Sequence, residues 1–172
     1  MPSQKTPFPQ KFLALSIRYG IISAVFMSIL TLLFFYFSGT GNTPVIIWNY
    51  LVITLVVFGS VKTYRKKISN RNISFKEAYV SGVSTGIVAS FVFAIFMIFY
   101  TKYIDIEFIK NFISINALKI NKDTTADELN RQIQLITPVI IGFYAFFQLI
   151  LISFILPFLI FILFKQKRTV KT

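Results

Sequence analysis

The chain has 172 residues, 55% hydrophobic and 14% charged, with 21 Phe and a mean hydropathy of +0.71. Apolar residues in unbroken runs, with so little charge to cover a surface, exclude an ordinary soluble domain and mark membrane spans. The absence of Cys and His excludes disulfides, thiolate chemistry and histidine-based catalysis, and the net charge of +12 lies at the borders of the apolar runs, not on a basic domain that would take nucleic acid.

Residues 1–11, with Pro2, Pro7, Pro9, Lys5 and Lys11, read as a short disordered cytoplasmic tail. The first apolar run, Phe12 to Phe37, is interrupted only by Arg18. Its uninterrupted part from Tyr19 has 19 residues, or about 28 Å of helix, enough to cross the hydrocarbon core. It is too long for a signal-peptide core and ends in Leu33-Phe34-Phe35-Tyr36-Phe37 without a small-residue cleavage site, so an uncleaved span over about 13–37 is expected. Ser38 to Thr43 form an uncharged turn, with Thr43 placed to cap the next helix and Pro44 at its first position. Span two covers about 44–63, with Trp48 and Tyr50 at interface depth and Asn49 able to reach headgroups or a neighbouring helix.

A basic hinge, Lys62 to Glu77, follows. Within it Ser74-Phe75-Lys76-Glu77 fits a capping box that starts span three, about 76–101. Pro138 opens span four, about 138–164, inside which Pro157 predicts a kink by removing the hydrogen bond to the Ser153 carbonyl. Residues 102–137 form an insertion. Phe108, Ile109, Phe112, Ile113 and Ile115 recur at helical spacing, and Thr125-Ala126-Asp127-Glu128 offers a second capping box before Leu129, Ile133 and Ile136. Two short amphipathic helices are expected there, on the membrane surface or over the bundle mouth. Residues 12–165 thus form one four-span domain, and 166–172 a cytoplasmic basic tail.

Alternation of four spans puts the N-terminus, hinge and C-terminus on one side. That side holds 13 Lys and Arg against the single acid Glu77, whereas the other holds five basic and five acidic residues. Cytoplasmic loops are enriched in Lys and Arg, so the charged side is the cytoplasm. Arg65, Lys66, Lys67 and Arg71 of the hinge are the candidate contacts to anionic headgroups at that face.

Span three carries Ala78, Gly82, Gly86, Ser90 and Ala94, and span one Gly20, Ala24 and Ser28, each with a period of four. Small residues let helices approach closely where lipid offers no hydrophobic drive. Contact between spans of one monomer is preferred to a homodimer interface. On that reading Gly86→Leu destabilises the bundle and Gly86→Ala is tolerated. Arg18 is expected to snorkel to headgroups, Glu77 to cap a helix, and Gln148 to hydrogen-bond across to another helix. Beyond the capping Glu77 at the start of span three, no span contains Asp, Glu or His, which argues against an ion-coupled transporter, and no nucleophile–base pair, phosphate loop or metal cluster is legible.

Arg18-Tyr19-Gly20-Ile21-Ile22-Ser23, the hinge Tyr64-Arg65-Lys66-Lys67 leading into Ile73-Ser74-Phe75-Lys76-Glu77-Ala78, and then Gly82, resemble a bacterial membrane family, domain of unknown function 4199 (DUF4199). The exit Tyr103-Ile104-Asp105-Ile106-Glu107-Phe108 is similar too, although the family often has Pro where Ile106 stands. The resemblance implies a four-span bacterial inner-membrane protein and supplies no activity, cofactor or site residue.

The expected fold is therefore all-α, a four-helix transmembrane bundle with an amphipathic helical extracytoplasmic insertion between spans three and four. The expected function is a non-enzymatic partner or scaffold protein without a cofactor. Its partners are the anionic bilayer and either another membrane protein or further copies of the chain. A small oligomeric channel or transporter is the alternative, and an integral membrane lipid enzyme ranks third because acid–base residues are missing.

Overall fold

In the computed structural model, residues 8–38, 44–67, 74–120 and 126–169 are described, with side chains for 13–37, 47–66, 74–114 and 127–162. The helices in chain order are α1 (Phe8–Ser38), α2 (Pro44–Lys67), α3 (Phe75–Phe99), α4 (Phe108–Ile120), α5 (Ala126–Leu135) and α6 (Pro138–Thr169), with a π turn at Tyr100–Ile104 continuing α3. Among the described residues there is no strand. Four segments are long and apolar enough to cross a membrane: Leu13–Phe37, Ile47–Lys66, Phe75–Ile104 and Pro138–Ile162.

The helices overrun the expected spans at the polar ends. α1 begins at Phe8, so Phe8 to Lys11 are helical and not part of a disordered tail. Pro9 is harmless there, because the first-turn N–H groups have no intrahelical acceptor anyway. α2 continues through Tyr64-Arg65-Lys66-Lys67 into the hinge, and α6 continues to Thr169. The capping box that starts α3 is formed. Ser74 Oγ accepts from the Glu77 amide at 3.3 Å, and Glu77 Oε2 accepts from the Ser74 amide at 2.8 Å. The turn from Gly39 to Thr43, the hinge from Ile68 to Ile73 and the Thr125 cap lie outside the described residues.

α3 is the common neighbour, packing along α6, α1 and α2. Its small residues explain how three helices share one. Toward α6, a Cβ on Gly82 would fall on Pro157 and one on Gly86 on Ser153, while a Cβ on Gly142 would come within 3.0 Å of the Ala94 carbonyl. Toward α1, a Cβ on Gly20 would come within 2.6 Å of Val88 and 3.0 Å of the Thr85 carbonyl. Toward α2, Ser60 Oγ lies 2.8 Å from Thr85 Oγ1. α1 and α6 thus flank α3 on different faces.

These contacts change one expectation. Gly86→Ala is not free, because the added methyl meets the Cβ and Oγ of Ser153, and Cβ cannot rotate away without backbone movement. Pro157 sits inside a helix that continues past it, buried against Gly82.

Hydroxyl groups in the bundle mostly turn back to their own helix. Ser28, Thr31, Thr54, Ser90, Thr101 and Ser153 each donate to the carbonyl four residues earlier, at 2.7–2.9 Å. In hydrocarbon a polar group must find an acceptor inside the protein, and the preceding turn is always within reach. Gln148 obeys the same logic. Its Nε2 donates to Tyr144 Oη at 2.9 Å within α6, and not across to another helix as its position suggested.

Candidate functional site

A buried polar pair stands at the end of α3. In an α-helix, residues five apart point about 140° away from each other. The π turn removes that separation: the Asp105 amide donates to the Tyr100 carbonyl at 2.9 Å, closing a five-residue ring. Tyr100 Oη then donates to Asp105 Oδ2 at 3.0 Å. Asp105 is 1% exposed and Tyr100 is 3% exposed, so this bond is shielded from water although it lies at the bundle's end. π turns are rare and occur often at functional sites.

The same aspartate starts the insertion. Its carbonyl accepts from the Phe108 amide at 3.1 Å, which turns the chain into α4. Around it stands a set of rings. Tyr100 meets Phe35 of α1, Phe96 of α3 and Phe108 of α4 at centroid distances of 6.0, 5.7 and 5.8 Å. Phe108 stacks on Phe112, and Phe112 meets Tyr144 of α6 edge-on at 5.6 Å. Each pair contributes about 0.5–1.5 kcal/mol beyond its buried area. The start of α4 is thereby fastened over the end of the bundle, and the insertion's two helices stand where two amphipathic segments were expected.

α5 differs. It packs on α4, and Asp127, Glu128, Asn130, Arg131, Gln132 and Gln134 are exposed, with Leu129 and Ile133 half-buried between them. The arrangement is a foot, α4, that carries a polar platform, α5.

A second polar set lies in the opposite half of the bundle. Ser60, Ser81 and Thr85 are fully buried, with Ser60 Oγ 2.8 Å from Thr85 Oγ1 and 3.5 Å from Ser81 Oγ. Ser16 and Ser23 of α1 are fully buried too, and their Oγ atoms have no hydrogen-bond partner among the described residues. Beside this set Tyr19 Oη lies 2.8 Å from Thr63 Oγ1 and joins α1 to α2.

The residues singled out from sequence are placed as follows. Gly20 lies against Val88 and Thr85, Ala24 is fully buried, and Ser28 is half-buried with its hydroxyl returned to α1. Gly82 and Gly86 face Pro157 and Ser153, Ser90 and Ala94 are buried, and Ala94 lies opposite Gly142. Arg65 is half-buried and Lys66 exposed on the last turn of α2. Lys67 belongs to that turn with its side chain outside the described residues, and Arg71 lies outside them altogether. Sequence reasoning missed Asp105, which it counted only among the five acids of the side opposite the cytoplasm. The available signal was an acid placed directly after an apolar run, at the point where the helix must end.

A family model described as "Protein of unknown function (DUF4199)" matches residues 18–166, most of the chain. The chain belongs to the DUF4199 family. The match takes in the first membrane-spanning helix from Arg18 onward, the other three, the π turn and the insertion, so the Tyr100–Asp105 junction lies within the family's extent. Neither a curated protein nor a solved structure matches. This DUF4199 protein is a multi-pass membrane protein by its four apolar helices.

Proposed function

We propose that this DUF4199 protein is a non-enzymatic partner or scaffold protein of the bacterial inner membrane. Both termini and the basic hinge face the cytoplasm, and α4 and α5 stand outside. The observation that carries the reading is the contrast within the insertion. α4 is held to the bundle by Tyr100, Asp105 and the ring cluster, whereas α5 keeps its polar side chains outward and packs on α4. A helix that packs on α4 and turns its polar side chains outward is arranged to meet another protein.

Orientation is supported by the charge asymmetry, 13 basic residues and one acid on one side against an even balance on the other. The chain has no Cys, so single cysteines report cleanly. Asn116→Cys is expected to react with an impermeant thiol reagent in intact spheroplasts. Ser69→Cys is expected to react only after permeabilisation, and its labelling in intact cells reverses the assignment.

A small oligomeric channel or transporter is the second reading, supported by the buried hydroxyls of Ser16, Ser23, Ser60, Ser81 and Thr85. Photo-crosslinking from Arg131 and Gln132 in cells, followed by purification in mild detergent, separates the two. The partner reading expects one discrete heterologous adduct in stoichiometric yield. Adducts between copies of this chain alone, from a homogeneous oligomer, replace it with the channel reading.

A further inference from the structure

Arg18 looks solitary in the sequence, a lone cation entering span one. The pairing of α1 with α2 changes its company. Tyr19 Oη and Thr63 Oγ1 are 2.8 Å apart and define the seam between the two antiparallel helices. On α1, the next residue, Gly20, meets α3; on α2, Ser60 bonds the α3 hydroxyl of Thr85. The α3-facing side of each helix is thus known. Successive residues turn by about 100°, so Arg18, one step before Tyr19, and Lys62, one step before Thr63, fall on the opposite side of the same seam. Lys66, one turn beyond Lys62, joins them, and all three are exposed.

Depth and surroundings add a second constraint. Arg18 is six residues past the start of the apolar run at Phe12, and Lys62 directly follows the run that ends at Val61. Both therefore stand near the border of an apolar run, a place from which long stems reach headgroup phosphates. Farther in, Ile22 and Leu55 continue the same outer faces and are 39% and 62% exposed. Glu77, the one acid on this side of the sequence, is engaged with Ser74 at the start of α3. Three cations below two exposed aliphatic side chains match the chemistry of one lipid: an anionic head and an acyl chain.

We propose that the α1–α2 groove formed by Arg18, Lys62 and Lys66 is a binding site for a single anionic phospholipid of the inner leaflet, its phosphate on the cations and an acyl chain along Ile22 and Leu55. The proposal rests on the inward orientation stated above and is narrower than attraction of the leaflet to the hinge as a whole. It assigns discrimination to Arg18 and Lys62, not to Arg65, Lys67 or Arg71.

The test is native mass spectrometry of the full chain from mild detergent, titrated with phosphatidylglycerol and with phosphatidylcholine. Wild type is expected to keep one phosphatidylglycerol preferentially. In R18Q/K62Q that adduct weakens by about ten- to thirtyfold, as expected for two cations at an anionic surface. R18K/K62R restores it, and R65Q/K67Q leaves it within about twofold. Equal losses in R18Q/K62Q and R65Q/K67Q overturn the site and leave only diffuse attraction. Should R18Q/K62Q fail to fold, wild type with a photoreactive phosphatidylglycerol decides: adducts concentrated near Ile22 and Leu55 support the groove, and adducts spread over all spans overturn it. Failure of orientation is read separately, from the Ser69→Cys and Asn116→Cys labelling.

Discussion

Gly86→Ala lowers the thermal stability of the detergent-solubilised protein by about 1–3 kcal/mol, the usual cost of forcing a methyl into a filled interface. The cause is local and one-sided. A Cβ on Gly86 would fall on the Cβ and Oγ of Ser153, and Ser153 also uses its hydroxyl to bond the Leu149 carbonyl at 2.7 Å. Turning the hydroxyl aside sacrifices that bond and still leaves Cβ in the way. Gly86→Leu, with three more carbons, costs more and separates α3 from α6. The companion variant makes the test specific. Ser153→Gly in the Gly86→Ala background removes the obstructing side chain and is expected to recover most of the loss. Melting curves of the three variants and wild type settle it, and an unchanged midpoint for Gly86→Ala means that the two helices are not held at this distance.

Asp105→Ala is expected to loosen the insertion while the bundle stays folded. Without the carboxylate, the Tyr100 hydroxyl remains in a residue that is 3% exposed and loses its acceptor. A buried donor left unsatisfied costs about 1–3 kcal/mol. The cost falls where α4 begins, so it appears as faster amide exchange in Phe108–Ile120, by roughly 5- to 150-fold, with α3 little changed. Asp105→Asn keeps an oxygen in place and is expected to exchange nearly as wild type, whereas Tyr100→Phe removes both the donor and the bond and should lie between them. Exchange in α4 that is indifferent to Asp105→Ala would show that the ring cluster alone holds the insertion.

What could be read beforehand divides by distance along the chain. The four spans, the Ser74–Glu77 capping box and the two insertion helices depend on neighbours within a turn or two, and all were legible. Asp105 was not, because residues five apart share no face of an α-helix and only the fitted end of α3 brings it to Tyr100. Gly86 was recognised as a packing residue, but the tolerance of Ala there depended on Ser153, which is 67 positions away in the sequence. The first miss needs a break in the α-helical period and the second a contact between distant helices, and a regular helical repeat encodes neither.

Pro157 gives α6 its own mechanical character. A proline deprives the helix of one internal tie, so α6 bends more easily there than anywhere else along its length. Yet this softest point is seated against Gly82, with Gly86 and Ser153 in contact one turn away, where the two backbones have no slack. Softness and confinement at one place make a fulcrum. A swing of the α6 arm that carries Tyr144 against Phe112 would turn about that clamp and move the arm beyond Pro157 in the opposite direction.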